Sequence, residues 1–248
     1  MTTLKLCNAK NTYAEIVDRI SMPSSQYYHI SKIMEIIIAL KPNSVLDVGS
    51  GYGKYGVLCR EYLDLWNGEQ KYEFNKRIDG VEVFNDYITP LHEYIYNNLY
   101  NKDIGELHHN LVFEYDLVLL IDVIEHFKKD KGLELLNGLL NKNKGLLIST
   151  PLNPSPQEDA FGNIFETHRS VWSIRDLQEL GECYTIKDRV SLICYVTKTK
   201  ETIKDLKNNI RILRKHNETA FNKSLKKALA VIPGAVELNK IIRGKIRK

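Results

Sequence analysis

Residues 44–56 have the sequence SVLDVGSGYGKYG, in which an apolar run breaks into alternating glycines and then continues as a helical pattern. Gly49, Gly51 and Gly53 lack the Cβ that keeps a ligand at a distance, so backbone N–H groups at this turn can approach a bound molecule. One acidic residue, Asp47, stands within the apolar run before the glycines. The segment therefore predicts a strand, a ligand-binding turn and a helix, as in α/β folds that bind nucleotides.

Two classes of ligand compete for this turn. Gly51, Gly53 and Gly56 satisfy the dinucleotide pattern G-x-G-x-x-G, which favours a nicotinamide cofactor and an oxidoreductase. A pyrophosphate would lie close to the Asp47 carboxylate, and in a partly dry site that repulsion is costly. A cationic ligand has no such cost. Asp47 therefore favours a positively charged cofactor, and the oxidoreductase stays as the alternative.

Two motifs carry a resemblance to a known family. The D-x-G-x-G-x-G pattern of residues 47–53 resembles motif I of the class I S-adenosylmethionine-dependent methyltransferases, and residues 115–127, YDLVLLIDVIEHF, are similar to motif IV of its small-molecule and glycan members. Glu82 and the Thr-Pro pair at 150–151 follow in the family order. The resemblance covers residues 27–197. It implies a Rossmann-like methyltransferase fold that uses S-adenosyl-L-methionine.

The order of the predicted elements agrees with that fold. Strands are predicted at residues 44–48, 78–83, 96–100, 115–121, 145–150, 183–188 and 191–197, with helices at 12–21, 27–40, 54–66, 89–98, 131–140 and 173–180. Alternating strands and helices predict a doubly wound, mostly parallel sheet, and the last two strands form a hairpin with one antiparallel strand. Ligands of such sheets bind at the carboxyl ends of the strands.

The resemblance assigns residues to each part of the cofactor. It places Asp47, Gly49, Gly51, Tyr52 and Gly53 at the methionine moiety, Glu82 and Val83 at the ribose and adenine, Asp103 and Ile104 at the adenine, and Ile121 and Asp122 near the methyl group. A carboxylate such as Glu82 can accept hydrogen bonds from both ribose hydroxyls. The chain departs from the family at residues 67–77, a long polar insertion before the second strand, which puts the placement of Glu82 in question.

Two histidines are candidates for a catalytic base, because imidazole exchanges protons near neutral pH. His126 follows the fourth strand, where its alternative role is to fasten the loop, and His168 lies in a polar loop beyond the fifth strand. We favour His168, with Glu166 orienting it and Arg169 holding an anionic substrate. Asp122 is the third catalytic candidate. The expected acceptor is a hydroxyl of a small or sugar-type molecule.

Cysteine usage and hydropathy limit the other possibilities. The four cysteines include no C-x-x-C pair, and Cys59 and Cys194 lie in apolar segments, so we expect reduced core thiols and no metal centre. The longest apolar runs, such as 36–40 and 117–121, fall far short of the roughly 20 residues of a membrane span. No apolar signal region precedes them, and these features predict a cytoplasmic protein.

The sequence divides by charge. Residues 1–200 contain 22 lysines and arginines against 27 acidic residues, whereas residues 201–248 contain 13 against 4. We predict N-terminal lid helices (1–43), a cofactor-binding domain (44–200) and a basic helical tail (201–248). In the lid, Tyr27, Tyr28 and His29 either close over the cofactor or pack in the core.

The tail has apolar residues at helical spacing in two stretches, Ile203, Leu206, Ile210 and Leu213, then Phe221, Leu225, Leu229 and Ile232. They predict a pair of amphipathic helices that pack on the domain or on a second copy of the chain, or that lie on an anionic membrane surface. Nucleic acid is the least favoured partner, because the tail has a single aromatic residue, Phe221, for base stacking. A non-catalytic scaffold that acts through this tail is the remaining alternative function.

Overall fold

The computed structural model describes residue 25, residues 27–154 and residues 162–230. Its strands are β1 (Ser44–Val48), β2 (Arg77–Val81), β3 (Asn98–Tyr100), β4 (Leu117–Ile121), β5 (Gly145–Pro151), β6 (Glu182–Lys187) and β7 (Ser191–Thr197). They form one sheet in the order β3-β2-β1-β4-β5-β7-β6. The first five strands run parallel, and β7 pairs antiparallel with both β5 and β6. The predicted doubly wound, mostly parallel sheet is confirmed.

Helices flank this sheet. The α-helices of the described residues are α1 (Ile30–Leu40), α2 (Lys54–Leu63), α3 (Pro90–Ile95), α4 (Ile104–Leu107), α5 (Lys129–Lys142), α6 (Ile174–Gln178) and α7 (Lys200–Ala230). Short 3₁₀ turns lie at Tyr27–His29, Leu65–Asn67, Lys71–Glu73, Asn85–Tyr87, His108–Asn110, Ile124–His126 and Ile164–Glu166. The helix predicted at residues 12–21 lies outside the described residues.

The centre of the sheet is buried on both faces. All five residues of β1 and all five of β4 are buried, as expected for parallel strands covered by helices on each side. The two strands are neighbours although they are far apart in sequence, and the strand order reverses between them. This is the switch point at which parallel sheets leave a crevice for ligands.

Helix α1 packs on the domain through the apolar face that the sequence predicts, with Ile33, Met34 and Ile37 buried. It ends at Leu40, because the left-handed backbone of Lys41 (φ 49°) and the following proline do not allow the helix to continue. The three residues before α1 differ in their exposure to solvent. His29 is fully buried, whereas the stacked rings of Tyr27 and Tyr28 are exposed. The alternative that this tyrosine pair packs in the core is therefore wrong.

A buried ion pair anchors the insertion at residues 67–77. Arg60 of α2 donates to the Asp64 carboxylate at 2.7 Å and to the carbonyl oxygen of Lys76 at 2.7 Å. The Asp64 carboxylate in turn accepts the backbone N–H groups of Asn75 and Lys76. The C-terminal end of the insertion is thus fastened to the end of α2, and β2 still enters the sheet beside β1. The extra residues leave the end of β2 at the sheet edge where the resemblance expects it.

Some predicted boundaries are wrong by a few residues. β2 ends at Val81 instead of residue 83, and β3 begins at Asn98 instead of residue 96. Tyr96 does not enter β3, because its backbone N–H caps α3 by donating to the His92 carbonyl oxygen, while its hydroxyl donates to the Asp47 carboxylate. Cys59 and Cys194 are buried free thiols, as expected, and Cys7 lies outside the described residues.

The chain forms two compact units, residues 1–203 and 204–248. Helix α7 is continuous from Lys200 to Ala230, so the expectation of two separate helices is wrong over that range. Neither proline nor glycine occurs between these two residues, and the first such break, Pro233-Gly234, comes later in the sequence. Among the described residues, no helix has the length and hydropathy of a membrane span. The lid role of residues 1–43 and the partner of the tail stay predictions.

Candidate active site

The glycine turn, residues 49–53, lies between β1 and α2. Gly49, Gly51 and Gly53 have φ angles of 66°, 53° and 85°, the left-handed region that glycine adopts without strain. A Cβ on Gly49 would lie 2.7 Å from Cγ2 of Val123, so this residue also brings the turn against the segment after β4. The N–H groups of Gly49 and Ser50 donate to the Val81 carbonyl oxygen and join the turn to β2.

The third glycine of the dinucleotide pattern, Gly56, makes room for a side chain. A Cβ on Gly56 would lie 2.5 Å from the ring of Tyr96, which occupies the space beside α2. The Tyr96 hydroxyl donates to Asp47 Oδ2 at 2.6 Å, and the Gly56 N–H donates to the same carboxylate. The spacing of Gly56 is therefore explained by packing of an aromatic ring, without any phosphate.

Asp47 lies beneath the turn and is almost completely buried. Burial raises the pKa of its carboxyl group to about 6, and the hydrogen bonds from Tyr96 and Gly56 oppose that rise. The sequence pattern identified the carboxylate. It missed Tyr96, which lies 49 positions away and matches no motif that was considered.

Glu82 follows β2 directly and faces the glycine turn. Its Oε2 accepts the Gly51 N–H at 2.8 Å and its Oε1 accepts the Phe84 N–H at 2.9 Å. Burial raises the pKa of this carboxyl group, while these backbone donors lower it. The end of β2 and the turn are thus joined through one side chain. Val83 is held nearby, since the Asn101 side-chain amide donates to the backbone carbonyls of Glu82 and Val83.

The two residues predicted at the adenine differ in exposure. Asp103 is the N-cap of α4, where its carboxylate accepts the Gly105 N–H at 2.7 Å, and it is partly exposed at the sheet edge. Ile104 is buried and belongs to the main apolar core. Asp103 therefore has solvent-facing surface that a ligand could reach, and the neighbouring Ile104 anchors this segment in the core.

Asp122 follows β4 with a left-handed backbone (φ 55°), which is strained for a residue with a Cβ. Its carboxylate accepts from the Ser149 hydroxyl at 2.9 Å and lies 3.7 Å from His29 Nε2. The other ring nitrogen of His29 is 3.0 Å from the Ser191 hydroxyl. Burial lowers the pKa of His29, and the Asp122 charge opposes that shift. Ile121 is buried at the end of the same strand.

Beyond β4 the structure brings together the two histidines that the sequence left as rivals. The ring centroids of His126 and His168 are 5.3 Å apart. Nδ1 of His126 is 3.2 Å from the Thr167 carbonyl oxygen, and its Nε2 is 3.9 Å from Glu166 Oε2. Burial lowers the pKa of His126 to about 4, so its ring is neutral at pH 7. We call Glu125, His126, Glu166 and His168 the histidine cluster.

The loop that carries His168 is fastened to the segment that carries His126. The N–H groups of Arg169 and Ser170 donate to the Glu125 carbonyl oxygen at 2.8 and 3.0 Å. The Arg169 guanidinium donates to the carbonyl oxygens of His126 and Ile164. These bonds brace the loop, so the arginine has a structural task beside the substrate contact predicted for it.

Aromatic side chains join the glycine turn to the histidine cluster. The rings of Tyr52 and Tyr87 have centroids 5.1 Å apart, and the Tyr87 hydroxyl donates to Glu166 Oε1 at 3.4 Å. Tyr87 is buried, whereas half of Tyr52 is exposed. Tyr87 belongs to no sequence motif, because an isolated tyrosine in the short turn Asn85–Tyr87 forms no pattern with its neighbours. Through it, the two groups of candidate residues form one continuous site.

Comparison with known proteins agrees with this geometry. A family model described as a methyltransferase domain matches residues 24–184, and no curated protein matches the chain. Solved structures with the same fold include an O-methyltransferase family protein from Burkholderia thailandensis (13% identity, TM-score 0.51, 77% of this chain and 60% of that one). They also include the N-terminal domain of EvdMO1 with SAH bound (14%, TM-score 0.53, 71% and 83%). A third is the plantazolicin methyltransferase BpumL in complex with SAH (14%, TM-score 0.50, 77% and 90%).

At these identities the solved structures support the fold alone, and this chain spans only 60% of the length of the first of them. The family model is the stronger finding, because it covers the glycine turn, Glu82, Asp122 and the histidine cluster in one match. It decides between the two cofactor classes that the glycine pattern left open. The chain belongs to the methyltransferase domain family and is an S-adenosyl-L-methionine-dependent methyltransferase.

Proposed function

We propose that this methyltransferase acts on a hydroxyl group of a small or sugar-type acceptor, with the cofactor at the glycine turn and the acceptor at the histidine cluster. The observation that carries the proposal is the pairing of His126 and His168 beside Glu166, in contact with the glycine turn through Tyr87 and Tyr52. A hydroxyl is a poor nucleophile until it loses its proton. A cluster of proton acceptors is what such an acceptor requires.

The cofactor is assigned to residues that fit it. The proposed contacts are Asp47, Gly49, Gly51, Tyr52 and Gly53 for the methionine moiety, Glu82, Val83, Asp103 and Ile104 for the ribose and adenine, and Ile121 and Asp122 near the methyl group. The left-handed glycines leave room for a ligand against the backbone. Glu82 accepts the N–H groups of Gly51, Phe84 and Val83, which leaves lone-pair capacity on its two oxygens for a ribose hydroxyl.

The cofactor supplies a methyl group on a positively charged sulfur, so the protein has to orient the acceptor and remove its proton. We assign that step to His168, which is half-buried on the loop after β5. His126 is the neighbour that this assignment needs, because its ring packs beside His168 and its Nδ1 is held by the Thr167 carbonyl. Asp122 is assigned a positioning role, since its carboxylate is engaged by Ser149 and His29.

The test is a transfer assay with cofactor labelled in the methyl group, on a panel of sugars, phenols and amines. We expect label in a base-stable ether of a hydroxyl acceptor. For His168→Ala we expect turnover to fall by about 10²–10⁴-fold, the usual effect of a lost acid–base group. Calorimetry should show S-adenosylhomocysteine affinity within about twofold of the wild type, since the substitution is on the acceptor side.

His216→Ala is the matched control, because it removes an exposed histidine of α7. Label in an amine instead of a hydroxyl would contradict the proposed acceptor. Unchanged turnover in His168→Ala would remove that residue from the mechanism.

A further inference from the structure

We propose that Glu125, His126 and His168 form a site for a divalent transition-metal ion that binds the acceptor hydroxyl. One ligand atom from each of the three side chains lies within 4.8 Å of the other two. Two imidazoles and a carboxylate are a donor set for first-row divalent metals. The inference rests on the proposed hydroxyl acceptor, and it replaces the free base assigned to His168 by a bound ion. No sequence motif predicts this ion, because its ligands come from segments 42 positions apart.

Glu125 carries the strongest evidence. Its side chain is fully enclosed, with 1% of the residue exposed, and Oε2 has no hydrogen-bond partner among the described residues. The Thr150 hydroxyl bonds to the same carboxyl group, and the nearby charge of Asp122 is repulsive. A buried carboxylate oxygen without a partner is costly, and protein interiors rarely leave one. A bound cation would satisfy this oxygen.

His126 is held in the manner of a metal ligand. With Nδ1 3.2 Å from the Thr167 carbonyl oxygen, the proton is on Nδ1 and the lone pair is on Nε2. Ligating histidines usually donate their other N–H to a carbonyl or carboxylate in this way, which fixes the ring. Nε2 also faces Glu166, whose Oε2 is 3.9 Å away. Glu166 therefore adds a second carboxylate to the surroundings of the ion.

The His168 loop is held against the other two ligands before any ion binds. Arg169 and Ser170, the two residues after His168, donate their N–H groups to the carbonyl oxygen of Glu125 itself. The Arg169 guanidinium donates to the backbone carbonyl oxygens of His126 and Ile164, and these bonds hold the arginine side chain in place. Such support from surrounding residues is what orients the ligands of a metal site.

The spacing indicates what must move on binding. Ligand atoms at about 2.0–2.2 Å from a metal ion lie roughly 3.0–3.5 Å from each other. The cluster, with its atoms within 4.8 Å, therefore has to contract by up to roughly 1.3–1.8 Å. Three protein ligands leave further coordination positions open, as in catalytic sites and unlike closed structural ones.

An ion at this position would act on the acceptor directly. A hydroxyl that binds a divalent cation loses its proton more readily, as water does on Zn²⁺. The proton passes to solvent, the oxygen forms a bond to the methyl carbon, and the carbon–sulfur bond breaks with its electron pair staying on sulfur. In the loaded protein the lone pair of His168 holds the ion, so the cation takes the place of a free imidazole base.

The experiment uses the full chain after chelator treatment. Co²⁺ is titrated and followed by its visible absorption and by calorimetry. We expect one Co²⁺ per chain, and at least tenfold weaker binding in Glu125→Gln and in His168→Ala. His216→Ala should bind as the wild type does. S-adenosylhomocysteine affinity shows that each variant is folded, and His168→Ala keeps the test decisive if Glu125→Gln does not fold.

The outcomes separate this site from the proposed function. If the chain binds S-adenosylhomocysteine and methylates a hydroxyl but takes up no Co²⁺, the metal site is overturned and the free base stands. Uptake that neither ligand variant weakens also overturns it. Stoichiometric uptake that is weakened in both variants supports the metal site. An amine acceptor would then contradict the proposed function and the ion's role at a hydroxyl, and would leave the metal site itself standing.

Discussion

On the glycine-turn side, the buried carboxylates of Asp47 and Glu82 each accept hydrogen bonds from at least two donors. On the histidine side, the carboxylate of Glu125 is as deeply buried but has one oxygen without a partner in the described part of the chain. In the first region both carboxylates have donors from the backbone or from Tyr96. In the second region, Oε2 of Glu125 can still accept a hydrogen bond or bind a cation. Buried polar networks are stable only when fully satisfied, so the difference indicates where an additional ligand is needed.

The largest effect is expected from a substitution in the glycine turn. Gly49→Ala places a Cβ 2.7 Å from Val123 Cγ2 on a backbone with φ 66°. We expect the free energy of unfolding to fall by about 4 kcal/mol, from backbone strain and overpacking together. S-adenosylhomocysteine affinity should fall at least 100-fold, measured by calorimetry.

Gly68→Ala is the matched control, because Gly68 has φ 89° but no atom within 4 Å of an added Cβ. It carries the backbone strain without the clash. Equal losses of ligand affinity in the two variants would show that contact between the turn and Val123 does not matter.

The second largest effect is a pH dependence of stability, which comes from Asp47 on the glycine-turn side. Burial raises the pKa of Asp47 from 3.8 to about 6, so between these values the folded protein holds the proton more tightly than the unfolded chain does. The stability of the wild type relative to Asp47→Asn is therefore greatest below pH 4 and falls as the pH rises through 6. The expected difference is about 3 kcal/mol. Urea unfolding of both proteins from pH 4 to 7.5 measures it.

Parallel stability curves for the wild type and Asp47→Asn across this range would mean that the two hydrogen bonds to Asp47 fully offset its burial. The hydrogen bonds on the glycine-turn side would then outweigh the cost of burying Asp47 at every pH in this range.

The smallest effect is expected at the link between the two sides. Tyr87→Phe removes a hydroxyl bond of 3.4 Å to Glu166 but keeps the ring beside Tyr52. We expect a loss of less than about 1 kcal/mol in unfolding free energy and a fall in turnover of about two- to fivefold, with ligand affinity unchanged. Tyr72→Phe, at a 95% exposed tyrosine, is the control. A drop in S-adenosylhomocysteine affinity would show that Tyr87 belongs to the cofactor side instead.

Much of the fold could be predicted because its signals are local. The uniform apolar runs of β1 and β4 and the spaced glycines encode strands and a turn within a few residues. Glu82 could be placed from the order of strands, even across the insertion at 67–77, because parallel strands present their ends at one edge. The chosen helix ends were less accurate, since they depend on caps and on packing.

The sequence by itself determined the sheet and the turn and favoured a cationic cofactor, because these follow from backbone conformation and from residues that are close along the chain. Only the tertiary structure decided that Tyr96 satisfies Asp47, that His29 meets Asp122, and that His126 and His168 are neighbours. These pairs are separated by about 40 to 90 positions, and their distances depend on how loops pack over the sheet. No local pattern specifies that packing, so only the three-dimensional structure shows that the two candidate histidines, His126 and His168, lie in one cluster.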